Sequence, residues 1–118
     1  MLIHGQSHGG IAQGIGQALS EECLYDRDTA QLLSGSLMDY AVPRADTLPR
    51  FRTEISEVPS TTNPLGMRGG SEGGLTPGLA AVANAIVDAL TEFGVEHIEL
   101  PATPERIWRT IRASPRQS

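Results

Sequence analysis

Apolar residues fall into three helix-spaced groups separated by stretches with a different rhythm. In "GIAQGIGQALSEECL", Ile11, Ile15 and Leu19 recur every fourth position and Leu24 extends the stripe, so the spacing predicts a helix over 10–24. Gly14 and Gly16 lie inside it, and each costs about 1 kcal/mol against alanine in a helix interior. Close approach of another backbone or of a ligand is the usual compensation. A second group, Leu79, Val82, Ile86, Leu90 and Phe93, follows Thr76-Pro77 and ends at Gly94. Threonine can cap a helix, proline suits its first position, and glycine stops it. Thr103-Pro104-Glu105 repeats that start for a final helix with Ile107, Trp108 and Ile111 as its apolar contacts.

The remaining stretches predict strands and loops. "LPRFRTEISEVPS" sets Phe51, Thr53 and Ile55 against Arg52, Glu54 and Ser56, the alternation of a half-buried strand, and Pro49 and Pro59 bracket it as they would an edge. "LLSGSLMDYAVPRA" reads as extended up to Pro43, "VEHIEL" as a short strand, "YDRDTAQ" as a polar turn, and residues 60–75 as loop. The order predicts an α+β fold, with helices packed on a small mixed sheet over 1–113 and a disordered tail over 114–118.

Composition narrows the class. A length of 118 residues suits about one domain, and a net charge of −5 with no basic run disfavours nucleic acid and anionic membranes as partners. One cysteine, Cys23, excludes an internal disulfide and fits a reducing compartment. No apolar stretch nears the roughly 20 residues of a membrane span, and "MLIHGQSHGG" lacks the marks of a signal peptide. A cytoplasmic location is therefore expected. Aromatic content of 4% and an abrupt start at "HGQSHGG" fit a self-sufficient domain poorly and raise the expectation of a piece of something larger.

Few residues offer chemistry. In "NPLGMRGGSEGG", Glu72 stands among glycines, where it reads either as an acid on an ordinary surface loop or as a general base that a bulky group can approach closely. Arg68, four residues earlier, could pair with it. "GQSHGG" supplies an amide, a hydroxyl and an imidazole before the first predicted helix, either as a ligand site or as a plain capped turn. His4 and His8 have no acid or cysteine near enough in sequence for a third metal ligand, so no metal site is expected. Cys23, beside acidic residues in the predicted first helix, reads as a packing residue.

Four stretches in one order, "GQSHGGIAQGIGQALSEE", "GSLMDYAVPRADTLP", "NPLGMRGGSEGG" and "ELPATPERIWRTI", resemble the C-terminal part of the molybdopterin-binding large subunit of the xanthine oxidase family. The similarity is closest to the aerobic carbon monoxide dehydrogenase and aldehyde oxidoreductase types, and it runs from about Ile3 to Arg112. It implies an oxidoreductase that oxidises an aldehyde, a heteroaromatic ring or carbon monoxide with water-derived oxygen. It also implies that Glu72 is the base at the molybdenum, that Gln6 hydrogen-bonds the cofactor, and that Gly70 and Ser71 lie against it. The metal would be held by the pterin dithiolene, with no protein ligand from this segment. Arg68 and Ser71 stand where the family usually has lysine and glycine, and "EGGLTPG" departs from its common continuation.

The resemblance further implies that the cofactor is held only with the remainder of the large subunit. Iron–sulfur clusters and FAD are expected on partner chains or domains, since one cysteine cannot ligate a cluster. Besides these and a small-molecule substrate, self-association through exposed apolar faces is expected, and the isolated chain is expected to be inactive. A stand-alone binding or assembly module, or a gene remnant, that keeps the fold without redox catalysis is the alternative.

Overall fold

In the computed structural model, residues 1–114 are described; of the expected tail over 114–118, all but Ser114 lies outside them. Three helices carry the fold: α1 (Leu2–Leu19), α2 (Leu75–Ala89) and α3 (Pro104–Ala113), with a 3-10 turn at Thr91–Phe93 after α2. Among the described residues there is no strand, only one isolated antiparallel bridge between Tyr25 and Leu32. The helical part of the expected α+β fold is present, whereas no sheet is present among the described residues. Residues 49–59 and 95–98 run without regular backbone pairing, because pairing needs a neighbouring strand that these residues do not supply.

α1 begins eight residues before its expected start and ends at Leu19, with Ser20 as its C-cap. Glycines at 9 and 10 look like a break in sequence, yet both are helical. Gly10 and Gly14 earn their place by contact. A Cβ on Gly14 would lie 2.7 Å from the Leu79 nitrogen and 2.8 Å from the Gly78 carbonyl carbon. A Cβ on Gly10 would lie 2.6 Å from the Leu75 nitrogen. The two backbones therefore touch along Gly10 and Gly14 of α1 and Gly74 and Gly78 of α2. Gly16 is filled from another side, by the ring of Pro43.

α2 starts at Leu75 with Gly74 as N-cap, so Thr76 does not cap it. Its apolar side feeds the small core of Leu90, Val95, Ile98 and Ala102, against which Ile86, Val87, Phe93, Ile107 and Ile111 pack. Gly94 closes the 3-10 turn at φ 74°, the left-handed conformation expected of it. α3 starts as its sequence predicts: Thr103 caps it, its hydroxyl accepting from the Arg106 N–H, and Pro104 follows. Trp108 instead lies on the outside, with the Arg112 guanidinium 5.3 Å over its ring.

Two long-range bonds join α3 to the end of α1. The Ala102 N–H donates to the Ala18 carbonyl at 2.6 Å, and Arg106 pairs with Glu22 at 3.0 Å. The stretch 21–34 is a small hairpin-like loop in which buried Ser34 accepts from the Leu24 N–H and donates to the Glu22 carbonyl. Cys23 lies there, outside α1 and exposed, so it is not a packing residue. Residues 36–40 form a turn on the Ser36 carbonyl where an extended segment was expected.

The molecule is open. Its radius of gyration is 18.3 Å, where a compact chain of this length has about 13.5 Å. Its accessible surface is 9449 Å², against about 6,200 Å² for a folded monomer of this mass. Leu2, Leu37, Met38 and Leu65 are all more than three-quarters exposed. No helix among the described residues is long and apolar enough to cross a membrane.

Candidate functional site

The stretch carrying Glu72 crosses the first turns of α1. At one end, a Cβ on Gly70 would lie 3.9 Å from the Ile3 side chain. At the other, a Cβ on Gly74 would collide with the Ser7 carbonyl oxygen. Gln6 is three residues from Ile3 and four from Gly10, so helix geometry makes it the surface neighbour of both. A side chain on Gly70 would reach the first of these, and the start of α2 packs on the second. Gln6, Gly70, Ser71 and Glu72 thus share one edge of the α1–α2 pair, and all four are exposed. The Glu72 carbonyl accepts from the Thr76 N–H at 3.0 Å, which attaches its backbone to the first turn of α2.

Arg68 does not pair with Glu72. Its Nε donates to the Val58 carbonyl at 2.6 Å and its Nη2 to the Pro59 carbonyl at 3.4 Å. The ion pairs among the described residues are Arg52–Glu54, Arg106–Glu22 and Arg109–Glu105, so the Glu72 carboxylate pairs with no cation among them. Ser71 carries no backbone strain: the one non-glycine residue at positive φ among those described is Ala30. "GQSHGG" lies inside α1, so its N–H groups are not the free helix end that the sequence suggests. His8 within it and His4 just before it hold the neighbouring extended segment. His4 Nδ1 is 2.7 Å and His8 Nε2 is 3.2 Å from the Thr53 hydroxyl, and His8 meets Phe51 edge-on at 5.7 Å. Sequence periodicity could not have paired these residues with Thr53.

The edge around Gln6 and Glu72 has the features of a surface on which a large group can rest. A Cβ on Gly5, Gly9, Gly69 or Gly73 would meet nothing within 4 Å, so backbone is bare on both the helix and the loop. The available groups are a carboxamide, a hydroxyl, a carboxylate and backbone amides. No group of three metal-ligating side chains occurs among the described residues. Such a donor set suits a cofactor that brings its own metal ligands.

Comparison with known proteins bears on which cofactor that is. Residues 1–49 match the molybdopterin cofactor-binding domain family. The chain is 41% identical over 111 residues to the nicotine 6-hydroxylase large subunit of Paenarthrobacter nicotinovorans, covering 94% of this chain and 14% of that protein. This chain belongs to the xanthine oxidase family. It corresponds to part of the family's molybdenum-binding large subunit, whose cofactor is molybdopterin. It is also 33% identical over 112 residues to the carbon monoxide dehydrogenase large chain of Hydrogenophaga pseudoflava, covering 95% of this chain and 14% of the relative. The crystal structure of quinoline 2-oxidoreductase from Pseudomonas putida 86 superposes with a TM-score of 0.89 at 45% identity, over 98% of this chain and 14% of that one. The chain thus spans about one-seventh of the length of the relatives it matches.

Proposed function

We propose that this chain supplies one wall of the cofactor site in a molybdenum hydroxylase that oxidises an aldehyde, a heteroaromatic ring or carbon monoxide with water-derived oxygen. Residues 1–113 act there as a single segment of the cofactor-binding domain. The observation that carries this reading is the packing of Gly74, at the end of the Glu72 stretch, against Ser7, the residue that follows Gln6 on α1. Two candidate groups far apart in sequence are thereby held on one edge without touching each other.

Molybdopterin, when bound, supplies the metal that activates the oxygen donor and takes up the electrons. The Glu72 carboxylate is the base: paired with no cation among the described residues, it can take a proton onto an Oε oxygen as the reaction proceeds. The Gln6 carboxamide, carried on a rigid helix, orients the cofactor through hydrogen bonds. Gly70 and Ser71 present backbone and a hydroxyl to it at short range. Partners of the reading are the rest of the large subunit, iron–sulfur and flavin subunits, and a small-molecule substrate. Residues 49–59 and 95–100 complete a mixed sheet with strands of that remainder.

The test is turnover of the intact large subunit carrying Glu72→Gln, expressed per bound molybdenum. A base contributes about 10²- to 10⁴-fold, so turnover should fall by at least a hundredfold while molybdenum content holds. Equal turnover in the variant would remove Glu72 from the chemistry.

A further inference from the structure

Residues 69–73 are Gly-Gly-Ser-Glu-Gly, a run too free in its backbone to fix the position of its own carboxylate. At its C-terminal side it is held by α2, through the Thr76–Glu72 bond and the Gly74–Ser7 contact. What holds its N-terminal side is a compact knot made by residues 58–68. The Asn63 side chain bonds Met67 twice, its Oδ1 accepting from the Met67 N–H at 2.9 Å and its Nδ2 donating to the Met67 carbonyl at 3.0 Å. The Ser60 N–H donates to the Gly66 carbonyl at 3.0 Å, and the Gly66 N–H to the Asn63 carbonyl at 3.1 Å. Gly66 sits at φ 64°, which the tight turn requires. Arg68 then reaches across to the carbonyls of Val58 and Pro59, closing the base of the knot.

We propose that Asn63 and Arg68 are positioning residues for Glu72, forming a clamp that fixes where the glycine-rich run begins; this rests on the reading of Glu72 as the base. The two residues act on different bonds of the same knot. Asn63 fixes the turn and Arg68 fixes the exit. Arg68 reaches two successive carbonyls because a guanidinium presents several N–H groups in a fixed plane, which a lysine ammonium cannot reproduce. Its charge is committed to the backbone of residues 58–59 and not to the carboxylate four residues on. With one end set by the clamp and the other by α2, the run from 69 to 73 has two fixed ends and little freedom in its middle.

The test uses the intact large subunit with Arg68→Met, Arg68→Lys and Asn63→Asp, read in two independent ways. Hydrogen exchange reports the clamp itself. The amides of Ser60, Gly66 and Met67 are bonded inside the knot, and Arg68→Met should exchange all three about tenfold faster; Asn63→Asp, which keeps the acceptor for the Met67 N–H but sets a second acceptor against the Met67 carbonyl, should do so at Ser60 and Gly66, with α1 and α2 unchanged in both. Turnover per bound molybdenum reports the positioning. It should fall about tenfold in Arg68→Met with KM within about twofold, and Arg68→Lys should recover part of it. Unchanged exchange at those amides, or unchanged turnover with faster exchange, overturns the proposal. If Arg68→Met fails to assemble, the same two readings on Asn63→Asp decide it. A Glu72→Gln subunit measured alongside separates the two ideas: an active Glu72→Gln enzyme removes the base reading, while the exchange result stands on its own.

Discussion

Gly74 rests against Ser7 so closely that a methyl group on Gly74 would run into the Ser7 carbonyl oxygen. Gly74 is the N-cap of α2 and Ser7 lies in the second turn of α1. The contact therefore joins the helix that carries Gln6 to the loop that carries Glu72. The contact continues along the helix pair, where Gly10 meets the start of α2 and, one turn further on each helix, Gly14 meets Gly78.

Alanine at position 14 should destabilise the chain. Overpacking costs about 1–3 kcal/mol and the better helix propensity returns about 1 kcal/mol, so a net loss of up to about 2 kcal/mol is expected. Gly9→Ala is the control: its Cβ would meet nothing within 4 Å, and it should gain about 0.5–1 kcal/mol. Urea midpoints followed by circular dichroism at matched concentration check both, and opposite signs are the expected result.

How much of this was legible beforehand depends on the range of the interaction. The start of α3 at Thr103-Pro104 rests on a cap that closes within four residues, and it matches the expectation. Gly14 correctly signalled a close approach, but nothing in the sequence said that the other backbone would be Gly78. The start of α1 was obscured because Gly9 and Gly10 resemble a break, whereas Gly10 is required by its contact with α2 more than sixty residues away. Strand patterns at 50–58 and 95–100 were real as alternation or burial but could not become a sheet without partners. Gln6 and Glu72 stood out through their motifs. Their placement on one edge, and the turning of Arg68 toward residues 58–59, depend on contacts that no local pattern encodes.

The Arg106–Glu22 pair ties α3 to the end of α1 and is only about one-third exposed on each side. A double-mutant cycle with Arg106→Met and Glu22→Gln should give a coupling of about 0.5–1 kcal/mol, weakened by salt. Arg106→Met alone should cost more than Glu22→Gln, because Arg106 also donates to the Pro101 carbonyl.

Asp26 should titrate below the ordinary carboxylate range. Its Oδ1 accepts from the Thr29 hydroxyl at 2.7 Å and from the N–H groups of Thr29 and Asp28, and the Thr29 bonds dominate the lowering. A depressed folded value means that this turn is held fully above the unfolded carboxylate's pKa and is released as pH falls through the lower folded one. Carboxyl chemical shifts followed by NMR against pH check this, and Thr29→Val should raise the midpoint.

The isolated chain should self-associate. It exposes about half again the surface of a compact monomer, with large apolar side chains among the exposed residues. Sedimentation velocity over a concentration series should show mass rising with concentration. A monodisperse monomer that unfolds cooperatively would favour the stand-alone module.

The most direct test is a crystal structure of the intact large subunit with its cofactor in place. The account predicts that α1 and residues 69–75 keep their contact through Gly74 and Ser7. It further predicts that the Gln6 carboxamide and the Glu72 carboxylate both face the bound group, with Glu72 within about 3 Å of the group it deprotonates or one water away. A cofactor seated on another face of α1, with Glu72 still in solvent, would contradict it.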